Sequence, residues 1–204
     1  NPTGMCGSRV FSNYFTGGNI RMKCRGQEVR IWADSVASYT EQVVQFIGSF
    51  RYEDEATQVT SDFGTYYKAD ERWEATGNVV YLNRKDRSKL VGPNATYRRK
   101  VGVTRELQEV YADQRPTLTL TNGDSSAIAP EPYIVVADRV RMRGEDLMWG
   151  GGNVTIDRSD LRGRGDSLQL DTGKGNTGAL IGHASIRRAA SDSFALTGKR
   201  IDLG

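Results

Sequence analysis

Gly-Asn followed by a β-branched residue recurs through this 204-residue chain, at Gly18-Asn19-Ile20, Gly77-Asn78-Val79 and Gly152-Asn153-Val154. Looser copies are Gly48-Ser49-Phe50 and Gly182-His183-Ala184. The copies starting at Gly18, Gly48 and Gly77 are evenly spaced, as are those at Gly152 and Gly182; the longer gap between Gly77 and Gly152 leaves room for a degenerate copy near Arg115-Pro116-Thr117. A second signature follows each pair at a near-constant distance and reads small, Asp, x, small or apolar, x, Tyr or Leu. Its copies start at Ala33-Asp34, Ser61-Asp62, Gly92-Pro93-Asn94, Ala137-Asp138, Gly165-Asp166 and Gly198-Lys199. Two interleaved signatures in one phase indicate a repeated supersecondary unit that must stack on its neighbours to bury an apolar face.

Within a unit the pattern is that of strands. In Gly152 to Leu170, Val154 and Ile156 alternate with Thr155 and Asp157, and Leu168 and Leu170 alternate with Ser167 and Gln169. Side chains alternate faces along a strand, so each half has one apolar and one wet edge. The Gly-Asn pairs are expected at the turns between such strands. Val44, Phe46, Phe50, Tyr52, Val59, Phe63 and Tyr66 carry the alternation through the second unit, and Leu180, Ile186, Phe194, Leu196, Ile201 and Leu203 through the last. Val79 and Tyr81 share one side of a strand and Val80 and Leu82 the other, which predicts burial on both sides or a partner. From Arg98 to Gln114 the repeat is interrupted; Leu107, Val110 and Tyr111 after a candidate N-cap at Thr104 fit one or two helical turns or a long strand. Asn122 to Pro132 is a loop by composition.

With one repeat running throughout, a single all-β domain over 1–204 is expected, with a repeat-breaking insertion at 98–132. The 23 glycines fit many turns. The longest apolar run, Tyr133 to Ala137, is far short of a membrane-spanning helix. The chain starts at Asn1 and not at Met, which predicts either a removed leader, and so an exported protein, or a trimmed chain. In an oxidising compartment Cys6 and Cys24 are candidates for a disulfide, which would contribute about 3 kcal/mol in the chain-entropy model; two unrelated thiols is the other reading. Arginine outnumbers lysine 21 to 7. The run Arg139, Arg141, Arg143 alternates with Val140 and Met142 as a wet strand face does, and Arg98-Arg99-Lys100 and Arg187-Arg188 are further clusters. Each is either a solvated face or a contact for an anion.

The Gly-Asn pairs at 18–20, 77–79 and 152–154, the Ala-Asp elements at 33–39 and 137–142, and the closing Leu196-Thr197-Gly198-Lys199-Arg200-Ile201-Asp202-Leu203 together resemble the OstA-like family, the periplasmic lipopolysaccharide-transport proteins of the LptA and LptC type. The resemblance covers residues 18 to 97 and 134 to 204. It implies a β-jellyroll of about six stacked V-shaped antiparallel turns, each of roughly 30 residues, with exposed sheet edges that join partners by strand addition. It also implies an apolar interior that shelters lipid acyl chains and needs no catalytic residue, metal or cofactor. The groove would be lined by Ile20, Met22, Val79, Tyr81, Val154, Ile156, Leu168, Leu170 and Ile186. The alternative is that these residues fill a dry core and the fold serves as a structural subunit on the periplasmic side of a membrane-embedded complex. The insertion at 98–132 and the Cys6, Cys24 pair depart from the family pattern.

Other chemistry finds little footing. The single histidine, His183, occupies a repeat position. Asp171-Thr172-Gly173 imitates an aspartic-protease triplet without a second element, and Arg164-Gly165-Asp166 is explained by the repeat. Asn94-Ala95-Thr96 and Asn153-Val154-Thr155 are glycosylation sequons by pattern. Glu53-Asp54-Glu55 reads as a solvated turn and not as a calcium site. The 25 acidic residues against 28 basic ones give a mixed surface, not a nucleic-acid footprint.

Overall fold

The structure is a computed structural model and describes residues 13–23, 28–40, 42–121, 131–173, 177–188 and 193–203. Cys6 and Cys24 lie outside the described residues. The strands are β1 (Tyr14–Lys23), β2 (Arg30–Tyr39), β3 (Val43–Glu53), β4 (Thr57–Tyr67), β5 (Arg72–Asn83), β6 (Lys89–Arg98), β7 (Glu109–Asp113), β8 (Thr117–Leu120), β9 (Tyr133–Val136), β10 (Arg139–Arg143), β11 (Leu147–Arg158), β12 (Leu161–Asp171), β13 (Thr177–Arg188) and β14 (Phe194–Leu203). No helix occurs among the described residues. Neither a helical turn nor one long strand forms over 104–111: residues 104–108 are irregular and a short strand begins at Glu109. Val101 and Arg105 close a tight loop, and β7 then buries Val110 and Ala112 at strand spacing opposite Met142 and Val140.

Two compact units divide the chain, one of Asn1–Lys85 with Val91–Gln108 and the other of Asp86–Leu90 with Glu109–Gly204. In the first, β1 to β5 pair in chain order, each antiparallel to the next, and β6 follows β5. In the second the order is β7-β10-β11-β12-β13-β14. There β10 pairs with residues 147–151 of β11 and β9 with residues 155–157, so β9 and β10 act as two halves of one strand. β7 and β8 pair with β10 and β9 in the same way. Residues 109–120, inside the expected insertion, therefore supply a strand layer of their own.

The Gly-Asn pairs do not lie at the turns between strands. They fall in mid-strand, at register shifts: Gly17/Ile20 in β1, Ile47/Phe50 in β3, Gly151/Val154 in β11 and Ile181/Ala184 in β13. Gly48, Gly77, Gly152 and Gly182 have φ between +75° and +78°, and Ser49, Asn78, Asn153 and His183 follow at +45° to +48°. Two consecutive left-handed residues bulge the strand and bend it, and glycine then asparagine is the pair that adopts this at least cost. Gln114 and Arg115, at the expected degenerate copy, also have positive φ, 60° and 64°. They separate β7 from β8 just as Ala137 and Asp138 separate β9 from β10.

The second signature supplies the other half of each corner. Asp34, Asp62, Asp138 and Asp166 lie across from the bulge of the following partner strand. Asn78 Nδ2 donates to Asp62 at 2.9 Å and Asn153 Nδ2 to Asp138 at 2.8 Å. Ser49 Oγ donates to Asp34 at 3.1 Å, and His183 Nδ1 lies 2.8 Å from Asp166. The carboxylates sit over the glycines so closely that an added Cβ at Gly48, Gly77, Gly152 or Gly182 would meet Oδ2 at 2.3 to 2.4 Å. What the sequence shows as two motifs is one clasp.

The corner also governs which side chains face inward. Each bulged strand carries one residue more than its partner across the corner and keeps its parity: Trp73 and Ala75, then Val79 and Tyr81, are all buried in β5. The Asp-bearing strands switch parity: Thr57, Val59 and Ser61 are buried in β4 before the corner, Gly64 and Tyr66 after it. β12 switches likewise, from Gly163 and Gly165 to Leu168. Val80 and Leu82 are only half-buried, so of the two expectations for β5, full burial on both sides does not hold. Phe63 falls outside the core, on the exposed side of the switch.

In the first unit this inner face is aromatic. The Trp73 ring lies 4.9 to 5.5 Å from those of Tyr66, Tyr52, Phe50 and Phe46, stacked on Phe50 and tilted against the other three, within the range of favourable aromatic pairs. In the second unit it is aliphatic, with Leu118, Val135, Val140, Val154, Leu168 and Leu180 each at most 1% exposed. Burying a side chain of this kind contributes about 1.5 to 3 kcal/mol.

Candidate functional site

The nine candidate groove residues do not share one environment. Val79 and Tyr81 are buried in β5, where the Tyr81 ring lies 6.5 Å from that of Tyr97. Val154 and Ile156 of β11, Leu168 of β12 and Ile186 of β13 are buried together in the second unit. Ile156 and Ile186 flank Gly163, where an added Cβ would stand 3.7 Å from each. These six residues are covered by the chain's own side chains. Leu170 is half-buried opposite Met148. Ile20 and Met22 of β1, opposite Ala33 and Ile31, are half-buried as well.

The least covered apolar side chains of the inner face lie on β14. Antiparallel residues directly opposite share a face, and Leu196 and Gly198 stand opposite Ile186 and Ala184, Ile201 and Leu203 opposite Leu180 and Gly178. Ile186, Ala184 and Leu180 are buried, whereas Leu196 is 51% and Phe194 42% exposed. Among the described residues β14 pairs with β13 alone. An edge strand of this kind offers a row of unpaired N–H and C=O groups beside uncovered apolar surface, the two things an added strand needs. Alternation picks out Phe194, Leu196, Ile201 and Leu203 as strand residues; that Phe194 and Leu196 stay exposed among the described residues is a property of strand order, for which the sequence carries no local signal. The clasp does carry one, the near-constant offset from Asp34, Asp62, Asp138 and Asp166 to Gly48, Gly77, Gly152 and Gly182.

The arginine clusters are laced with carboxylates. Arg141 reaches Glu109 at 2.9 Å and Arg143 the same residue at 3.8 Å, and the Arg141 guanidinium lies 5.8 Å from the Trp149 ring. Arg188 lies 3.3 Å from Asp160, and Arg99 3.8 Å from Glu71. Arg158 donates to Asp160 and to the Tyr133 hydroxyl, and its hydrogen bonds hold the Asp160 carboxyl below the usual carboxylate range. The ion-paired wet face accounts for the contacts of Arg99, Arg141, Arg143 and Arg188.

The remaining motifs are absorbed by the fold. Asp54 accepts the backbone N–H of Ala56 at 3.0 Å and of Thr57 at 2.6 Å, closing the β3–β4 turn, and Glu53 accepts from Arg51 at 2.8 Å. Asp171 accepts the Gly173 N–H at 3.1 Å in a turn after β12. Asp166, Asn153 and His183 are clasp residues. Among the described residues no three His, Cys, Asp or Glu side chains gather as a metal ion would require. No protein-family model matches the chain, and no curated protein matches it in sequence.

Proposed function

We propose that the chain is a non-catalytic, exported β-jellyroll of the OstA-like kind that serves as an interaction subunit, joining partner proteins by strand addition at its exposed sheet edges. The observation that carries this reading is the contrast within one inner face: Val154 and Leu168 are buried by the chain's own side chains, while Leu196 and Phe194 lie about half exposed on a strand that, among the described residues, pairs on one side alone. A self-filled interior favours assembly over carriage. An edge strand that opens with exposed phenylalanine and leucine favours a protein strand as the occupant, because among the described residues the backbone groups on its outer side have no strand partner.

A second reading, shelter of lipid acyl chains as in lipopolysaccharide transport, draws on Ile20, Met22 and Leu170, the candidates left half-buried. The two separate experimentally. Pull-down from membranes in mild detergent should recover partner proteins in fixed stoichiometry with the parent chain and lose them with Leu196→Asp; equal recovery with both chains would sink the interaction reading. Native mass spectrometry of purified and delipidated samples tests the other. A lipid mass that disappears with Met22→Asp would favour carriage, and Met22 is a better probe than the buried Ile156, whose substitution by aspartate would unfold the sheet.

A further inference from the structure

We infer that the outer face of β11, β12 and β13, where Arg162, Arg164 and Arg187 stand together, is a docking surface for a carboxylate-bearing segment of a partner protein. The inference takes the chain to be an interaction subunit, as proposed above, and concerns a sheet face and not a sheet edge.

The register assembles the three arginines. Residues directly opposite on antiparallel strands share a face. Arg162 of β12 stands between Asp157 of β11 and Arg187 of β13, and Arg164 between Thr155 and Ser185. Ile156, Gly163 and Ile186, which alternate with these residues along their strands, are buried, so the arginines look outward, and all three are exposed. Arg162 and Arg164, two residues apart on one strand, are about 7 Å apart. Arg162 and Arg187 have Cβ atoms about 5 Å apart, and like charges in that position destabilise a sheet.

Elsewhere the chain answers clustered arginines with carboxylates of its own. Glu109 serves Arg141 and Arg143, and Asp160 serves Arg158 and Arg188. On this face Asp157 reaches Arg162 at 2.9 Å and is the one carboxylate in the two rows across β11, β12 and β13. Among the described residues Arg164 and Arg187 meet none. Beside Arg164, where a neighbouring acid would stand, are the hydroxyls of Thr155 and Ser185.

The charge that is missing defines the partner. A guanidinium holds a carboxylate through two parallel hydrogen bonds. Acidic side chains at alternate positions of an extended segment share a face at the same spacing as Arg162 and Arg164. Such a segment also relieves the repulsion between Arg162 and Arg187. Because the arginine clusters within this chain are matched by carboxylates, an acidic protein segment fits the face better than a phosphate-bearing surface.

Fluorescence anisotropy with a labelled peptide of alternating glutamate and threonine should show saturable binding to the full chain at low salt. Binding should weaken as salt rises. Arg164→Gln and Arg187→Gln should each weaken it several-fold and together abolish it. Arg21→Gln, which removes the same charge from exposed β1 of the other unit, should leave it unchanged. Without peptide, Arg187→Glu sets a carboxylate opposite Arg162 and should raise the urea midpoint at low salt. Inorganic phosphate, and vesicles of phosphatidylglycerol in phosphatidylcholine, should show no Arg164-dependent binding. An unbound peptide, an equal loss with Arg21→Gln, a midpoint that does not rise, or phosphate or vesicles held through Arg164 overturns the inference. Leu196→Asp alters the other face of the sheet and should leave the peptide bound. If the peptide fails while a partner is still captured in a Leu196-dependent way, the outer face is wrong and the strand-addition reading stands. If the peptide binds through Arg164 and no Leu196-dependent partner is captured, the outer face stands and strand addition falls.

Discussion

Gly152 and Gly151 are neighbours in β11, yet only one of them is irreplaceable. Gly152 has φ +78°, and an added Cβ would stand 2.4 Å from Asp138 Oδ2; at Gly151 the nearest atom would be the movable Arg139 Nε at 3.0 Å. A left-handed backbone costs an L-residue roughly 1 to 2 kcal/mol, before the clash with the carboxylate is counted. Gly152→Ala should therefore destabilise by about 2 to 3 kcal/mol, and Gly151→Ala by under about 1 kcal/mol, read from urea midpoints. Equal effects would mean that the clasp does not set the corner. Asn153 and His183 hold the same backbone conformation with different side chains, and both reach a carboxylate. Donor chemistry and tolerance of positive φ matter at this position more than residue identity, which is why Gly182-His183 reads as only a loose copy of the motif.

The β3–β4 hairpin joins the aromatic core to its own turn. Tyr52 reaches from that core to donate its hydroxyl to Asp54 at 2.8 Å, and Asp54 in turn caps the turn. Burial first, and the neighbouring Asp54 charge second, push the Tyr52 hydroxyl far above its usual range; burial does the same to Tyr97. A phenol whose folded pKa is raised contributes stability that is intact below the unfolded value, about 10, and is lost as pH climbs above it. Urea midpoints should hold from pH 8 to about 10 and then fall, by up to about 1.4 kcal/mol per pH unit for each such tyrosine. Tyr52→Phe should cost about 1 kcal/mol at neutral pH for the lost hydrogen bond and should decline less steeply above pH 10. Parallel declines in parent and variant would show that Tyr52 is not the titrating group. The hairpin's strands are legible from alternation, but alternation carried straight through Asp62 puts Phe63 in the core, whereas the strand changes face there.

Across the whole molecule, each unit has its own buried face, aromatic in one and aliphatic in the other. Protection against amide exchange should follow strand order within a unit. In the second unit β12, flanked by β11 and β13, should exchange only through large openings, while half of the β14 amides point away from β13 and should exchange fast at low concentration. Slow exchange along all of β14 at the lowest concentration would mean that its edge is already covered.

Much of this is written locally. Strand alternation, the glycine that must sit at positive φ, the asparagine that tolerates it and the aspartate at a fixed offset are properties of short segments, so the all-β character and the clasp partners stand in the sequence. What short segments cannot carry is which strand lies across from which. Gly-Asn makes a hairpin turn when the chain doubles back and a mid-strand corner when an Asp-bearing strand runs past it. That choice, made by the pairing of whole strands, moved the corners out of the turns, reset the inward face of every second strand, and closed six of the nine groove candidates inside the core while leaving Phe194 and Leu196 bare.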